Sequence, residues 1–301
     1  MKRNYIVVLI ILSFMIGMLA PVQGHAAESG KEYGGRFPIE ELVMFNASQE
    51  DIDFIGSLKG LRKLEISIWD EKTVDLTPLT NLQELQELGI SVKGIWDAKT
   101  DMSQLGELKQ LKKLSISECS SDLSFIHEMK NLQELTIWNS SIDNLSFLKG
   151  LTELRYLRLK YVSDSDLAYL EGMTKMNEIS IQGCHMRNFE CLGDMKYLTS
   201  VYLSDTEINK DEVHDIDLNV FAEADSLSSL FLEGMRITEA EPISRLPELE
   251  EIIFSATGVK DIESLENLKN LKTLKIFGYG SPKVVGQALA ISGLKTLVLM
   301  D

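Results

Sequence analysis

The chain has 301 residues, of which 44% are hydrophobic and 25% are charged, and its 46 acidic residues against 30 basic ones give a net charge of −16. A surface this negative repels nucleic acid and anionic membranes, so we expect no nucleic-acid partner. The same charge favours cationic or neutral partners, although acidity can equally serve only to keep a protein soluble.

Residues 1–27 have the pattern of a secretory signal peptide. Two basic residues near the start precede an apolar run over residues 5–20, and the small residues Ala26 and Ala27 follow it. The run is shorter than the roughly 20 residues that a membrane span needs, which favours cleavage after Ala26 or Ala27 over an uncleaved anchor. Residues 1–27 are therefore predicted to direct export to the extracellular side or the cell envelope, with no stable membrane span after cleavage. The polar residues 28–38 are predicted to be a linker.

From residue 39 onward, an apolar anchor returns at a nearly constant interval along the chain. Nearly every anchor lies in the same local phrase: an apolar residue, two others, the anchor, one other and a second apolar residue, as in LKKLSI and LQELTI. The anchors are Leu42, Leu64, Leu88, Leu114, Leu135, Leu157, Ile179, Val201, Leu230, Ile252, Leu274 and Leu297. A period of about 20–29 residues with this phrase is typical of leucine-rich repeats.

The phrase predicts a short β-strand, because its apolar residues alternate with period two. If its first apolar residue is position 1, positions 4 and 6 point inward and positions 3, 5 and 7 point outward. The strands must pair in parallel, since each returns after a crossover. Crossovers such as DIDFIGSLKGL and DLSFIHEMKNL repeat apolar residues every three or four positions, which predicts short helices or 3-10 turns on the opposite face.

These phrases resemble the internalin-like class of bacterial extracellular leucine-rich repeat proteins, whose units are commonly about 22 residues long. The resemblance covers residues 39–301 and implies an α/β solenoid: a horseshoe with about twelve short parallel strands on the concave face and short helical or 3-10 crossovers on the convex face. Two departures stand out. The asparagine common at position 9 is largely replaced by small side chains, and neither a long helical N-terminal cap nor an Ig-like C-terminal module is recognisable. Attachment by the family's usual anchors is therefore not implied.

The irregular units carry insertions. The phrase IWDEKTVDL (68–76) recurs as IWDAKTDM (95–102), which indicates a local duplication that forms either two surface loops or a ligand-contacting ridge using Trp69 and Trp96. The eighth unit is longer through NKDEVHDIDLNVFAEAD (209–225), which is predicted to be a loop on one side of the solenoid. Since this acidic segment lacks the glycine and the spacing of a calcium loop, we expect no metal site there.

Catalytic chemistry has little support in the sequence. His127, His185 and His214 lie in different units, and no phosphate-binding glycine loop or G-x-S-x-G motif is present. Cys184 and His185 are adjacent, and neighbours on an extended chain point to opposite sides. Cys119 and Cys184 both fall at position 9, three strands apart, which predicts two buried structural thiols too distant to form a disulfide. We expect no catalytic residue, no cofactor and no enzymatic activity.

Recognition is the better supported chemistry. Tyr202, Phe231 and Ile253 occupy position 5 on three consecutive predicted strands, where a solvated sheet face should be polar, and exposed apolar patches tend to mark interaction sites. A second predicted cluster consists of Trp138, Tyr156, Arg158 and Lys160. Trp, Tyr and Arg are the residue types that dominate interface hot spots. A flanking acidic fringe is predicted to select a basic partner; it consists of Glu87, Glu134, Glu178, Glu233 and Glu251.

The sequence therefore predicts a secreted, non-enzymatic leucine-rich repeat protein that binds another protein, such as a host or envelope component, through its concave face. The alternative is a glycan-binding module in which Trp138, Tyr156 and Tyr202 serve as stacking platforms. The last predicted strand has no polar capping segment after it, which leaves core and strand edge uncovered. Self-association through this unit, or descent from a longer protein, are two interpretations of that edge.

Overall fold

Twelve parallel strands form one sheet, in which neighbours follow chain order except where two short strands intervene. The computed structural model describes residues 39–69, 73–93, 100–118, 122–140, 142–206, 215–237, 239–255, 258–278 and 282–300. The segments predicted as signal peptide and linker lie outside them. The strands are β1 Glu41–Met44, β2 Lys63–Trp69, β3 Glu87–Lys93, β4 Lys113–Ser117, β5 Glu134–Trp138, β6 Tyr156–Val162, β7 Glu178–Gly183, β8 Ser200–Asp205, β9 Asp215–Ile216, β10 Ser229–Glu233, β11 Arg236–Ile237, β12 Glu251–Ser255, β13 Thr273–Phe277 and β14 Thr296–Met300.

The register of the sheet matches the anchors of the repeat. Each of the twelve anchors lies opposite the anchor of the next strand, from Leu42 against Leu64 to Leu274 against Leu297. Inner strands alternate half-buried and fully buried residues, with positions 4 and 6 in the core. A one-residue slip would turn every core side chain to solvent. The predicted strands, their parallel pairing and their inward positions are confirmed.

The crossovers are short helices on the opposite face of the sheet, as predicted. Two are α-helices, α1 Gln49–Ile55 and α2 Pro282–Ala290. The other nine among the described residues are 3-10 helices: Thr77–Asn81, Ser103–Glu107, Ser124–Glu128, Ser146–Leu148, Leu167–Leu170, Phe189–Asp194, Leu218–Phe221, Glu241–Ile243 and Glu263–Asn267. Their apolar side chains pack into one continuous core with the inward positions of the sheet.

A repeated turn fixes where most of these 3-10 helices begin. In seven units an Asp or Asn side chain accepts a hydrogen bond of 2.8–3.0 Å from the backbone N–H two residues later. The acceptors are Asp75, Asp101, Asp122, Asn144, Asp166, Asp217 and Asp261. Such Asx turns satisfy a backbone donor that would otherwise lack a partner at the start of a helix.

The eighth unit corrects one prediction. Residues 209–214 of its insertion lie outside the described residues, but the remainder is not a loop. It forms β9, which pairs in parallel with β11 apart from the main sheet, and then the 3-10 helix Leu218–Phe221. Leu218 and Phe221 are buried, because the segment LNVF follows its Asx turn with the same apolar spacing as the other crossovers.

Two further predictions depend on details of exposure. Trp69 ends β2 with 42% of its surface exposed, whereas Trp96 lies outside the described residues, so the paired ridge stays a hypothesis. At the other end of the sheet, Leu297 and Leu299 of β14 are half-buried against the core and Met300 is exposed. Self-association through this strand stays a prediction.

Candidate functional site

The row of residues at position 5 is brought together as predicted. Tyr202 lies opposite Phe231, and Phe231 lies opposite Ile253, on the adjacent strands β8, β10 and β12. The two rings stack with centroids 4.2 Å apart and planes only 5° from parallel. All three side chains are half-buried, because each is partly covered by its neighbour in the row. The outer face of the sheet therefore carries a continuous apolar ridge.

A carboxylate is held beside this ridge. Glu233, at position 7 of β10, accepts hydrogen bonds from Ser204 Oγ at 2.6 Å and Ser255 Oγ at 3.2 Å, one from each neighbouring strand. Burial, assisted by the charge of Glu233, raises the pKa of the Tyr202 phenol, so this phenol stays neutral in ordinary buffers. The sequence did not distinguish Glu233 from the other fringe acids; serines at the same position on both flanking strands are the signal that could have done so.

The other fringe carboxylates are already neutralised within the chain. The ion pairs are Lys113–Glu87 at 3.9 Å, Lys113–Glu134 at 3.1 Å, Lys275–Glu251 at 3.8 Å and Arg158–Glu178. The hydrogen bond to Glu134 raises the pKa of Lys113. Among the described residues, Glu233 alone of the five has no basic side chain within 4.0 Å. These ion pairs leave Glu233 as the fringe carboxylate best placed to meet a basic group, and selection of a basic partner by the fringe stays a prediction.

The second predicted cluster is brought together in part. Tyr156, Arg158 and Lys160 occupy successive outward positions of β6, and Arg158 is ion-paired with Glu178 of β7. Trp138 ends the neighbouring strand β5 with 38% of its surface exposed. The pairing of the two strands stops one residue before it.

Tyr161, which the sequence analysis did not select, follows this cluster. It is 59% exposed and has a left-handed φ of 63°. The left-handed backbone coincides with an irregular register between β6 and β7. The sequence does hold a signal for it: several other units carry Asn or Gly at this position, so a tyrosine there departs from the repeat.

The other features considered are the cysteines and a cleft on the convex side. Cys184 is half-buried rather than buried, with Sγ 3.5 Å from Thr206 Oγ1, and Cys119 lies outside the described residues. Burial raises the pKa of Cys191 to about 12, so its thiol is protonated and donates to the Leu167 carbonyl at 3.1 Å. A cleft of about 400 Å³ lies between two crossovers and is lined by residues such as His127 and Lys149.

The described part of the chain contains no group of three or more His, Cys, Asp or Glu side chains placed to hold a metal ion. Within the same residues, no helix has both the length and the apolarity to cross a bilayer.

Several solved structures superpose on this chain. An internalin (inlF) from Listeria monocytogenes superposes with a TM-score of 0.64 at 21% identity, covering 87% of this chain and 82% of that one. The fold is a leucine-rich repeat solenoid. TLR13 in its complex with ssRNA13 gives a TM-score of 0.62 at 18% identity, covering 86% of this chain and 40% of that one.

A third leucine-rich repeat neighbour is the plant peptide hormone receptor RGFR1 in complex with RGF2, with a TM-score of 0.57 at 18% identity. The superposition covers 78% of this chain and 40% of the receptor chain. No protein-family model and no curated protein matches the sequence. Because all three identities are low, the likeness establishes the solenoid and leaves its partner to be inferred from the concave face.

Proposed function

We propose that this leucine-rich repeat solenoid is an exported, non-enzymatic protein that binds a protein partner through its concave face. The observation that carries the proposal is the stacked Tyr202–Phe231 pair, continued by Ile253, on a sheet face where solvated positions should be polar. Trp138, Tyr156, Arg158 and Lys160 extend the same face across β5 and β6. Large aromatics and arginine supply most of the binding energy at protein interfaces.

Electrostatics favour a protein over a nucleic acid. One structural neighbour is complexed with an RNA and another with RGF2, so the fold alone does not choose between ligand classes. The net charge of −16 opposes the phosphate backbone. Tyr202 also has one ring face covered by Phe231, which leaves less of its surface for a sugar. A host or envelope protein is the partner class that fits export and this face.

The test compares two triple variants of the full chain as bait for envelope and extracellular proteins of the producing organism and for extracellular proteins of a host. Tyr202→Ala, Phe231→Ala and Trp138→Ala remove the concave aromatics. Phe54→Ala, Tyr197→Ala and Leu289→Ala are the matched control, since these side chains are 50%, 63% and 70% exposed and lie on or beside the crossovers. We expect a partner that the wild-type and control chains capture and the concave variant loses.

The contrary outcomes are equally definite. If the two triple variants capture the same proteins as the wild type, the concave face is not the binding site. If glycan-array or single-stranded RNA binding is lost with the concave aromatics while no protein is captured, the ligand class is wrong. Thermal unfolding of each variant shows whether loss of capture reflects loss of the fold.

A further inference from the structure

A gap interrupts the position-5 row on its way across the sheet. Ser180 of β7 lies between Arg158 of β6 and Tyr202 of β8, and the register pairs all three directly. Adjacent strands lie about 4.8 Å apart, so Arg158 and Tyr202 are roughly 10 Å apart at the backbone. On a concave face their side chains converge toward the tips. The Ser180 side chain is short, so β7 itself fills little of the space between them.

The orientation of the Tyr202 ring makes this gap a stacking site. Its plane is parallel to that of Phe231, and the 4.2 Å between the centroids runs from one strand to the next. The ring planes are therefore roughly perpendicular to the direction from one strand to the next, and Phe231 covers one face of Tyr202. The opposite face of Tyr202 is turned toward the gap over Ser180.

The other wall of the gap is the Arg158 guanidinium, held in an ion pair with Glu178. The Arg158 side chain is 54% exposed, and its guanidinium is tethered to Glu178, which occupies position 3 on the same strand as Ser180. A tethered guanidinium loses less conformational entropy when it contacts a ligand. Its planar, weakly hydrated guanidinium packs favourably on the electron-rich face of an aromatic ring. A flat ring makes contacts at roughly 3.5–4 Å on each face, which fits a gap of this width.

We propose that the gap over Ser180 is a pocket for one aromatic side chain of the protein partner, stacked on Tyr202 and covered by the Arg158 guanidinium. This inference rests on the proposed function and adds the chemistry of the partner's anchor residue. Gln182, half-buried at position 7 of β7, places an amide beside the pocket, where it can bond an indole N–H or a phenol hydroxyl. Tyrosine or tryptophan side chains therefore fit better than phenylalanine.

The probe for this pocket is 5-fluoro-N-acetyltryptophanamide, titrated with the full chain and followed by ¹⁹F NMR line broadening. Ser180→Phe fills the gap with a ring that can stack on Tyr202, so the fold should be retained. Ser115→Phe is the matched control: the same substitution at position 5 of β4, between Gly89 and Thr136. We expect Ser180→Phe to abolish broadening and Ser115→Phe to leave it unchanged.

A second variant keeps the test independent of how Ser180→Phe folds. Arg158→Gln removes the guanidinium from a solvent-exposed wall. It should lower the affinity for the probe about threefold to tenfold, as expected for loss of one cation–π contact. N-acetylleucinamide, which lacks a ring, should not displace the probe. Three results would each overturn the pocket. They are displacement of the probe by N-acetylleucinamide as effective as that by an aromatic amide, binding of N-acetylargininamide that is tighter than that of the probe, and line broadening of the probe that Ser180→Phe leaves unchanged.

Failure of the pocket and failure of the binding face are distinguishable. Partner capture that is lost in the concave triple variant but intact in Ser180→Phe removes the pocket and leaves the binding face standing. Probe binding that depends on Ser180 and Arg158, with capture unaffected by the concave triple variant, removes the proposed function and leaves the pocket as a site for an aromatic ligand.

Discussion

At position 8, where the chain leaves the strand, the backbone is left-handed in several units, with φ of 54° at Asn46 and 75° at Gly234. Asn and Gly tolerate this region, whereas a bulky side chain is strained there. Glu118 adopts it with φ 58° and Tyr161 with φ 63°, and Tyr161 is the bulkier of the two. The left-handed strain at Tyr161 therefore falls on an exposed aromatic side chain, which contributes little burial in return.

We predict that Tyr161→Asn stabilises the protein. The side chain is 59% exposed, so little burial is lost, and relief of left-handed strain contributes about 1 kcal/mol. The melting temperature should rise by about 2–4 °C. Tyr197→Asn is the control, because Tyr197 is 63% exposed and has no positive φ, and it should bring no gain. A Tyr161→Asn protein that melts no higher than the Tyr197→Asn protein contradicts the strain argument.

Particular residues show what the sequence could and could not predict at this scale. The twelve anchors and the row of Tyr202, Phe231 and Ile253 follow from phase alone, because a period-two strand fixes which side chains face outward. Stacking geometry does not follow, since it depends on ring rotamers. Nor does pairing: the repeat places Arg158 and Glu178 at outward positions, but only side-chain torsions bring them into contact. The repeat pattern therefore cannot predict which carboxylates of the acidic fringe are ion-paired.

At the scale of single elements, the Asx turns explain why the crossovers begin where they do. Carboxylates that accept backbone hydrogen bonds have lowered pKa values, as at Asp101 and Asp122. Asp261 has the strongest set of partners: Lys283 Nζ at 2.7 Å, Glu263 N at 3.0 Å and Gln287 Nε2 at 2.8 Å. These bonds connect helix α2 to the preceding crossover.

Asp261 should make the stability of this unit depend on pH in the acid range. The ion pair with Lys283, followed by the backbone hydrogen bond, lowers the pKa of Asp261 from 3.8 to about 2. In the native state Asp261 is therefore protonated at a lower pH than in the unfolded state. The stabilisation is complete above about pH 4 and is lost as the pH falls toward 2. Asp261→Asn should lower the melting temperature at pH 7, and the gap from wild type should close between pH 4 and pH 2. Lys283→Gln should lower the melting temperature at pH 7 by most of the same amount. A difference in melting temperature that stays constant with pH would rule out titration of Asp261.

At the scale of the whole molecule, each strand of a solenoid is supported only by its neighbours, so stability is local rather than shared equally. Leu157 is fully buried between two flanking strands, whereas Leu297 on β14 is half-buried. Leu157→Ala should cost about 2–5 kcal/mol and raise amide hydrogen exchange chiefly in β5, β6 and β7. Leu297→Ala should raise exchange only in β13 and β14. Hydrogen exchange with mass spectrometry on the two variants separates this behaviour from a single cooperative unit, in which both substitutions would raise exchange in every described strand alike.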